Sequence, residues 1–186
     1  MMTIAFINGK GGVGKSTLCF LVGLALLDAG RAVAVEDLDP QQSITAWIKP
    51  ERDGLNVSNA PDCVLIDTPP ILDHESVKAA TERASHIVLP CSPSPGDVTA
   101  INGPATIVSE FMKPEANAMI VLNRYKARTI LAEDATEVLN AQIGFPVLQT
   151  RIPDRQCIQR AVLGGWDALD AETQTEVFKL ALEITT

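Results

Sequence analysis

One stretch constrains this chain more than any other: Gly9-Lys10-Gly11-Gly12-Val13-Gly14-Lys15-Ser16-Thr17. It fits the spacing G-x-x-x-x-G-K-[ST], with Gly9, Gly14, Lys15 and Ser16 on the fixed positions. Ahead of it, the β-branched and aromatic run Thr3-Ile4-Ala5-Phe6-Ile7 predicts a strand. After it, Leu18 to Leu27 is apolar and helix-forming. Strand, glycine loop and helix start together make a phosphate cradle. The loop N–H groups point inward, the helix N-terminus is partially positive, and a lysine reaches the outer phosphates. A Cβ on those glycines would hold the backbone off the phosphates. Gly-rich turns join many strands to helices, but the full spacing in this context specifies nucleotide binding.

Strand and helix signals then alternate to the end of the chain, the βαβ pattern. Strands are predicted at Ala32–Asp37, Cys63–Asp67, His86–Pro90, Ala118–Leu122 and from Val147 to about Pro153, with a short edge strand at Leu55–Val57. Helices are predicted over Ser43–Ile48, from Asp73 as N-cap to Ala84, from Gly96 to Met112, over Ile130–Gln142, Arg155–Leu163 and Glu172–Ile184. Right-handed crossovers between parallel strands give an α/β fold: a doubly wound, mainly parallel sheet with helices on both faces. Apolar residues make up 46% of the 186 residues and aromatics only 4%, which suits helices packed on a buried parallel sheet. No repeat or linker divides the chain, so residues 1–186 form one P-loop domain. Leu18 to Leu27, the longest apolar run, is too short to span a bilayer, and no basic-then-apolar signal segment opens the chain. Cys19, Cys63, Cys91 and Cys157 form no C-x-x-C pair and read as reduced, mostly core thiols of a cytoplasmic protein.

In such a sheet the ligand sits at the carboxyl ends of the strands, where Asp37, Asp39 and Asp67 fall. Asp67, after Val64-Leu65-Ile66, fits a Walker-B carboxylate holding Mg²⁺ with the Ser16 hydroxyl; the alternative is a strand-end Asp capping its own turn. Asp39 lies in a loop able to fold over a γ-phosphate and orient water. Asp37 is read as satisfying backbone N–H groups around the P-loop. Lys10 is a second lysine where the spacing demands none. It either reaches a nucleotide held by a second subunit or is a loop lysine in solvent. The net charge of −8 argues against nucleic acid, yet Arg124 to Arg160 carries six basic and four acidic residues, +2 against −10 elsewhere. That stretch is a modest basic face or an ordinary solvated surface.

Lys10-Gly11-Gly12-Val13-Gly14-Lys15-Ser16-Thr17 resembles the deviant Walker A motif of the ParA/MinD ATPases. Asp37-Leu38-Asp39-Pro40-Gln41 resembles switch I of the ParA branch, and Asp67-Thr68-Pro69-Pro70 its switch II. The segments Asn123 to Thr129 and Thr150 to Pro153 resemble ParA segments near the adenine, and the length resembles the small, ParF-like partition proteins, which lack an N-terminal DNA-binding extension. The resemblance implies an ATP-sandwich homodimer, weak ATPase activity stimulated by a ParB-like or other adaptor protein, non-specific double-stranded DNA binding in the ATP state, and positioning of a plasmid, chromosome or protein complex on the nucleoid. By position it implies that Lys10 contacts the partner's nucleotide and Lys15 the β/γ-phosphates. It places Gly11, Gly12, Val13, Gly14 and Thr17 around the phosphates. It assigns Ser16, Asp39 and Asp67 to Mg²⁺ and the attacking water. Asn123, Arg124, Ile152, Pro153 and Asp154 fall beside the base. For DNA, Arg124, Lys126, Arg128, Arg151, Arg155 and Arg160 are available, although Asp167, Asp170, Glu172 and Glu176 make the C-terminal end acidic.

Other classes share the loop. A MinD-like membrane-cycling ATPase needs a terminal amphipathic helix with a basic face, whereas Glu172, Glu176 and Glu183 dominate the last helix. An iron–sulfur reductase needs about two thiolates per subunit, and Cys91 alone follows a strand end. A dethiobiotin-synthetase-like ligase or kinase needs an acceptor pocket, which sequence does not display.

Overall fold

Strands that are apolar on both faces bury themselves only when both faces are covered. The computed structural model describes residues 1–72, 74–126 and 130–186. Among these, six strands form one sheet: β1 (Met2–Phe6), β2 (Val33–Asp37), β3 (Cys63–Asp67), β4 (His86–Cys91), β5 (Asn117–Tyr125) and β6 (Ile152–Pro153). Every pairing is parallel, in the order β2-β3-β1-β4-β5-β6. The helices are α1 (Lys15–Asp28), α2 (Ser43–Trp47), α3 (Pro50–Asp53), α4 (Glu75–Arg83), α5 (Pro95–Ala100), α6 (Asn102–Phe111), α7 (Ile130–Gln142), α8 (Gln156–Gly164) and α9 (Ala171–Thr185), with a 3₁₀ turn at Trp166–Ala168.

Successive strand residues serve opposite layers. Ile4, Phe6, Leu65, Val88 and Val121 pack with α1, α8 and α9, while Ala5, Val64, Ile66, Ile87 and Ile120 pack with α4 to α7. This is the doubly wound α/β architecture the alternation predicts. Residues 18–26 of α1 are buried on all sides because the helix lies between the sheet and α9. From β1 the chain goes out to the edge strand β2, returns to β3 beside β1, and then crosses to β4, β5 and β6 on the other side. The winding therefore reverses beside β1, and the P-loop leaves the sheet at that point. Register sets Phe6, Asp37 and Asp67 level at the carboxyl edge.

Local differences from the sequence reading have physical causes. Leu55–Val57 forms no strand. Leu55 is buried, and the Asn56 side chain takes the free edge of β2 instead, accepting from Val35 N at 2.6 Å and donating to Val35 O at 3.4 Å. The single helix expected from Gly96 to Met112 starts at Pro95, under a Ser94 cap, and divides into α5 and α6. Pro104 has no N–H to continue the ladder there. His74 caps α4, its Nδ1 accepting from Ser76 N at 3.2 Å. Asp73, the expected cap, lies outside the described residues, as does Arg128. α1 begins at Lys15 itself, so the motif's lysine, serine and threonine form its first turn.

Candidate nucleotide-binding site

The P-loop is held from two sides. Asn8, buried, donates through Nδ2 to Pro90 O at 2.7 Å and accepts from Lys10 N through Oδ1 at 2.8 Å, fastening the loop's start to β4. Asn123, also buried, donates to Val13 O at 2.8 Å from the end of β5. Gly14 turns through φ 100°, and a Cβ there would fall on the Asn123 amide. Gly11 and Gly12 are exposed above this floor and Val13 is buried within it. The Lys15 side chain is buried with Nζ 3.4 Å from Lys10 O. Burial lowers its pKa, opposed by the negative charge of Asp67 and Asp39. Ser16 and Thr17 are half-buried.

Asp67 is fully buried, and among the described residues neither carboxylate oxygen has a hydrogen-bond partner of good geometry. Burial pushes its pKa up to about 7; the Ser16 hydroxyl and Lys15 ammonium beside it pull downward, while Asp37 and Asp39 push upward. An orphaned buried carboxylate is costly unless something charged joins it. This one stands next to a hydroxyl of the phosphate cradle, the donor pair a Mg²⁺–nucleotide needs. No three His, Cys, Asp or Glu side chains among the described residues gather into a cation site of their own. An ion at the cradle would therefore be held by Asp67 and Ser16 together with phosphate and water oxygens, with Asp39 close enough for its charge to be felt.

The loop after β2 is built by its own aspartates. Asp37 accepts from Asp39 N at 3.1 Å and from Thr45 N at 3.0 Å, so it organises this loop and the start of α2, not the P-loop backbone as the sequence suggested. The Asp39 carboxylate is half-buried and accepts from Gln41 N at 2.9 Å. Leu38 N donates to Asp67 O at 2.9 Å, tying this loop to the end of β3. Thr68, buried, donates through Oγ1 to Phe6 O at 2.7 Å, so both switch-like segments are fastened beside the P-loop.

Beyond Gly14 and Thr17 opens a cavity of about 190 Å³. Asn123, Arg124, Pro153 and Asp154, the residues expected beside the base, line it. Ile152 does not: it is fully buried in the core, paired in register with Asn123. Arg124 holds φ 55° where the β5–β6 register shifts, an unfavourable backbone for a non-glycine residue that aims this strand end at the cavity. Arg155 lines it too, and sequence reasoning missed Trp47, Ile158, Gln159 and Val162, which form the rest of the wall. Trp47 also meets Phe20 edge-on, ring centres 6.3 Å apart. An isolated tryptophan just past the Asp37–Gln42 loop was the available signal.

Two of the expected DNA-facing arginines are engaged within the chain. Arg155 pairs with Glu172 at 2.7 Å, Glu176 at 3.4 Å and Asp170 at 3.6 Å. Arg151 lies over the Tyr125 ring at 5.1 Å and donates to Thr136 at 3.2 Å. Arg124, Lys126 and Arg160 are exposed. Cys91 is fully buried, and burial pushes its thiol up to about 12. α9 turns Val177, Leu180, Ala181 and Ile184 into the core against α1, and no helix among the described residues is long and apolar enough to cross a membrane.

A strand, glycine loop and helix, a buried lysine and an orphaned strand-end carboxylate define a P-loop nucleotide-binding domain. The profile of the CobQ/CobB/MinD/ParA nucleotide binding domain matches residues 4–165, and the chain belongs to that family, on its ParA branch. It is 29% identical over 184 residues to the maintenance of carboxysome distribution protein A of Halothiobacillus neapolitanus, covering 88% of this chain and 84% of that protein. Two solved structures share the fold. One is cobyrinic acid a,c-diamide synthase from Mycobacterium smegmatis with bound ATP analogue and magnesium, at TM-score 0.75 and 20% identity over 97% of this chain and 92% of that one. The other is pNOB8 ParA bound to nonspecific DNA, at TM-score 0.72 and 15% identity over 99% of this chain and 97% of that one.

Proposed function

We propose that this chain is a ParA-like ATPase that closes into a homodimer around ATP and Mg²⁺, binds non-specific DNA in that state, and positions a cargo through an adaptor protein that stimulates hydrolysis. The observation that carries it is the orphaned Asp67 carboxylate beside Ser16 and Lys15, with a second lysine, Lys10, on the rim of the same loop. The likeness to a carboxysome-distribution protein and to a ParA solved on DNA supports the positioning role. The same reading places the protein in the cytoplasm, on the nucleoid.

The residues divide the work as follows. The N–H groups of Gly11 to Thr17 and the Lys15 ammonium bind the phosphates, and Ser16 and Asp67 hold Mg²⁺. When bound by Ser16 and Asp67, Mg²⁺ would supply charge neutralisation on the phosphate oxygens. Asp39 orients the water whose oxygen bonds to the γ-phosphorus while the bond to the β–γ bridging oxygen breaks, giving ADP and phosphate. The Gln41 N–H engages only Oδ1 of Asp39, which leaves Oδ2 to meet the water. Asn123, Arg124, Trp47, Pro153 and Asp154 enclose the base.

The likeness to a diamide synthase favours a second reading, ATP-dependent ligation of a small carboxylate. One experiment separates the two: binding to a random-sequence DNA duplex with ATP, ADP or no nucleotide across a salt series. The ParA-like reading expects binding with ATP alone, weakening steeply with salt as phosphate contacts release counterions. ATP turnover without DNA binding in any state would overturn it in favour of ligation.

Asp67 gives a pH test. Folded, it keeps its proton up to about pH 7; unfolded, it loses it near about pH 4. A carboxyl raised in this way contributes stability that is fully present below the unfolded value and lost as pH rises through the folded one. Nucleotide-free protein should therefore lose stability relative to Asp67→Asn between about pH 4 and about pH 7, by up to about 4 kcal/mol. Mg²⁺ binding carries the opposite sign, because the cation needs the carboxylate. The Mg²⁺ enhancement of ATP affinity should fade as pH drops below about 7. An enhancement that survives in Asp67→Asn would remove Asp67 from the metal site.

A further inference from the structure

The Lys10 side chain does not point into the phosphate cradle. Its ammonium donates to Asp97 Oδ1 in the first turn of α5, 87 residues along the chain. The lysine side chain is 51% exposed and the carboxylate 12%, so the lysine reaches from the rim down to a sheltered acceptor. Both ends of the pair are anchored at the carboxyl end of β4. Lys10 N is fixed by Asn8, whose amide grips Pro90 O. Asp97 stands just beyond Ser92-Pro93-Ser94-Pro95, a segment stiffened by two prolines, with its own N–H donating to Ser94 Oγ at 3.2 Å. Burial alone would raise the Asp97 carboxyl; the bonds from Lys10, Ser94 and Ser92 hold it below the usual carboxylate range. Lys15 meanwhile rests against Lys10 O. Both P-loop lysines are thus engaged by oxygen atoms of their own chain.

We propose that Asp97 is an intramolecular latch: its carboxylate retains the Lys10 ammonium within its own subunit, and a nucleotide-loaded second copy has to draw Lys10 away to complete the site. This rests on the cross-subunit role given to Lys10 above. Asp97 is a positioning residue that acts through Lys10. The latch makes dimerisation conditional, because the negative charge that replaces Asp97 comes with the partner's phosphates. A triphosphate offers more of it than a diphosphate, and an empty partner offers none.

The test is sedimentation of the full chain over a range of ATP, ADP and protein concentrations, comparing wild type with Asp97→Asn, Asp97→Glu, Lys10→Ala and the double variant Lys10→Ala/Asp97→Asn. Removing an exposed ion pair shifts an equilibrium about 1.4-fold to 5-fold, and two latches open per dimer, so Asp97→Asn should tighten the ATP dimer by about twofold to thirtyfold. Its affinity for ATP as a monomer should be unchanged. Asp97→Glu, which can restore the pair, should fall back toward wild type. The double variant should behave as Lys10→Ala does. An Asp97→Asn chain that dimerises no better than wild type, or one whose gain persists without Lys10, overturns the latch. Should Asp97→Asn fail to melt cooperatively, Asp97→Ala is judged by the same outcomes. A Lys10→Ala chain that dimerises normally removes the cross-subunit role and the latch together; a Lys10→Ala chain that cannot dimerise beside an unaltered Asp97→Asn removes the latch alone.

Discussion

Lys15→Ala should bind ATP at least about a hundredfold more weakly than wild type, a loss of about 2.7 kcal/mol or more. The figure follows from where the ammonium sits. It is buried against Lys10 O, with Asp67 and Asp39 as its nearest negative charges. Phosphate oxygens arriving in that site would exchange a weak carbonyl contact for charge-assisted bonds, each worth about 1.5–3 kcal/mol. Without Lys15 the same phosphates would approach two carboxylates with no cation between them, and the repulsion adds to the lost bonds. The fold should survive, because the alanine keeps the helix start and Gly14 and Asn123 still hold the loop. Isothermal calorimetry decides it: unchanged ATP affinity in a cooperatively melting Lys15→Ala chain would sink the P-loop assignment.

What was legible in the sequence was whatever depends on neighbours along the chain. β3 was read to the residue, since Cys63-Val64-Leu65-Ile66-Asp67 is a continuous apolar run closed by a carboxylate and a Thr-Pro-Pro turn. α7 was read to the residue as well, with Gly144 beyond its end. The phosphate cradle was legible because its chemistry is written in the spacing of nine consecutive residues. What stayed hidden depends on which element packs against which. Asn123 was placed beside the base, but that its amide supports Val13 O became visible only once β5 lay next to the P-loop. Trp47 reaches the cavity because α2 folds back over the start of α1. The basic count from Arg124 to Arg160 overstated the basic face: α9 brings Glu172 and Glu176 onto Arg155, and Tyr125 covers one side of Arg151. Lys10 stood out along the chain as a second lysine, but its partner did not: only the loop after β4 brings Asp97 to it.

Asp39→Ala should leave ATP binding intact while lowering turnover by about a hundredfold or more, the usual range for losing a positioned proton acceptor. The arrangement of the two aspartates in the loop explains why Asp39, and not Asp37, carries this prediction. Asp37 spends both carboxylate oxygens on backbone N–H groups, of Asp39 and Thr45, so removing it disturbs the loop itself. Asp39 holds only the N–H of Gln41, an exposed contact that an incoming γ-phosphate can displace with little loss. Its charge is felt by both Lys15 and Asp67, which places it within electrostatic reach of the reacting phosphate. A carboxylate in that position aligns water and takes up positive charge as the water deprotonates; an alanine does neither, yet leaves the phosphate cradle untouched. ATP should then accumulate uncleaved, and the ATP dimer should persist in sedimentation for as long as ATP lasts. Single-turnover phosphate release is the measurement. Wild-type release from Asp39→Ala would move the water-orienting role to another group, and loss of ATP binding together with turnover would make Asp39 a binding residue instead.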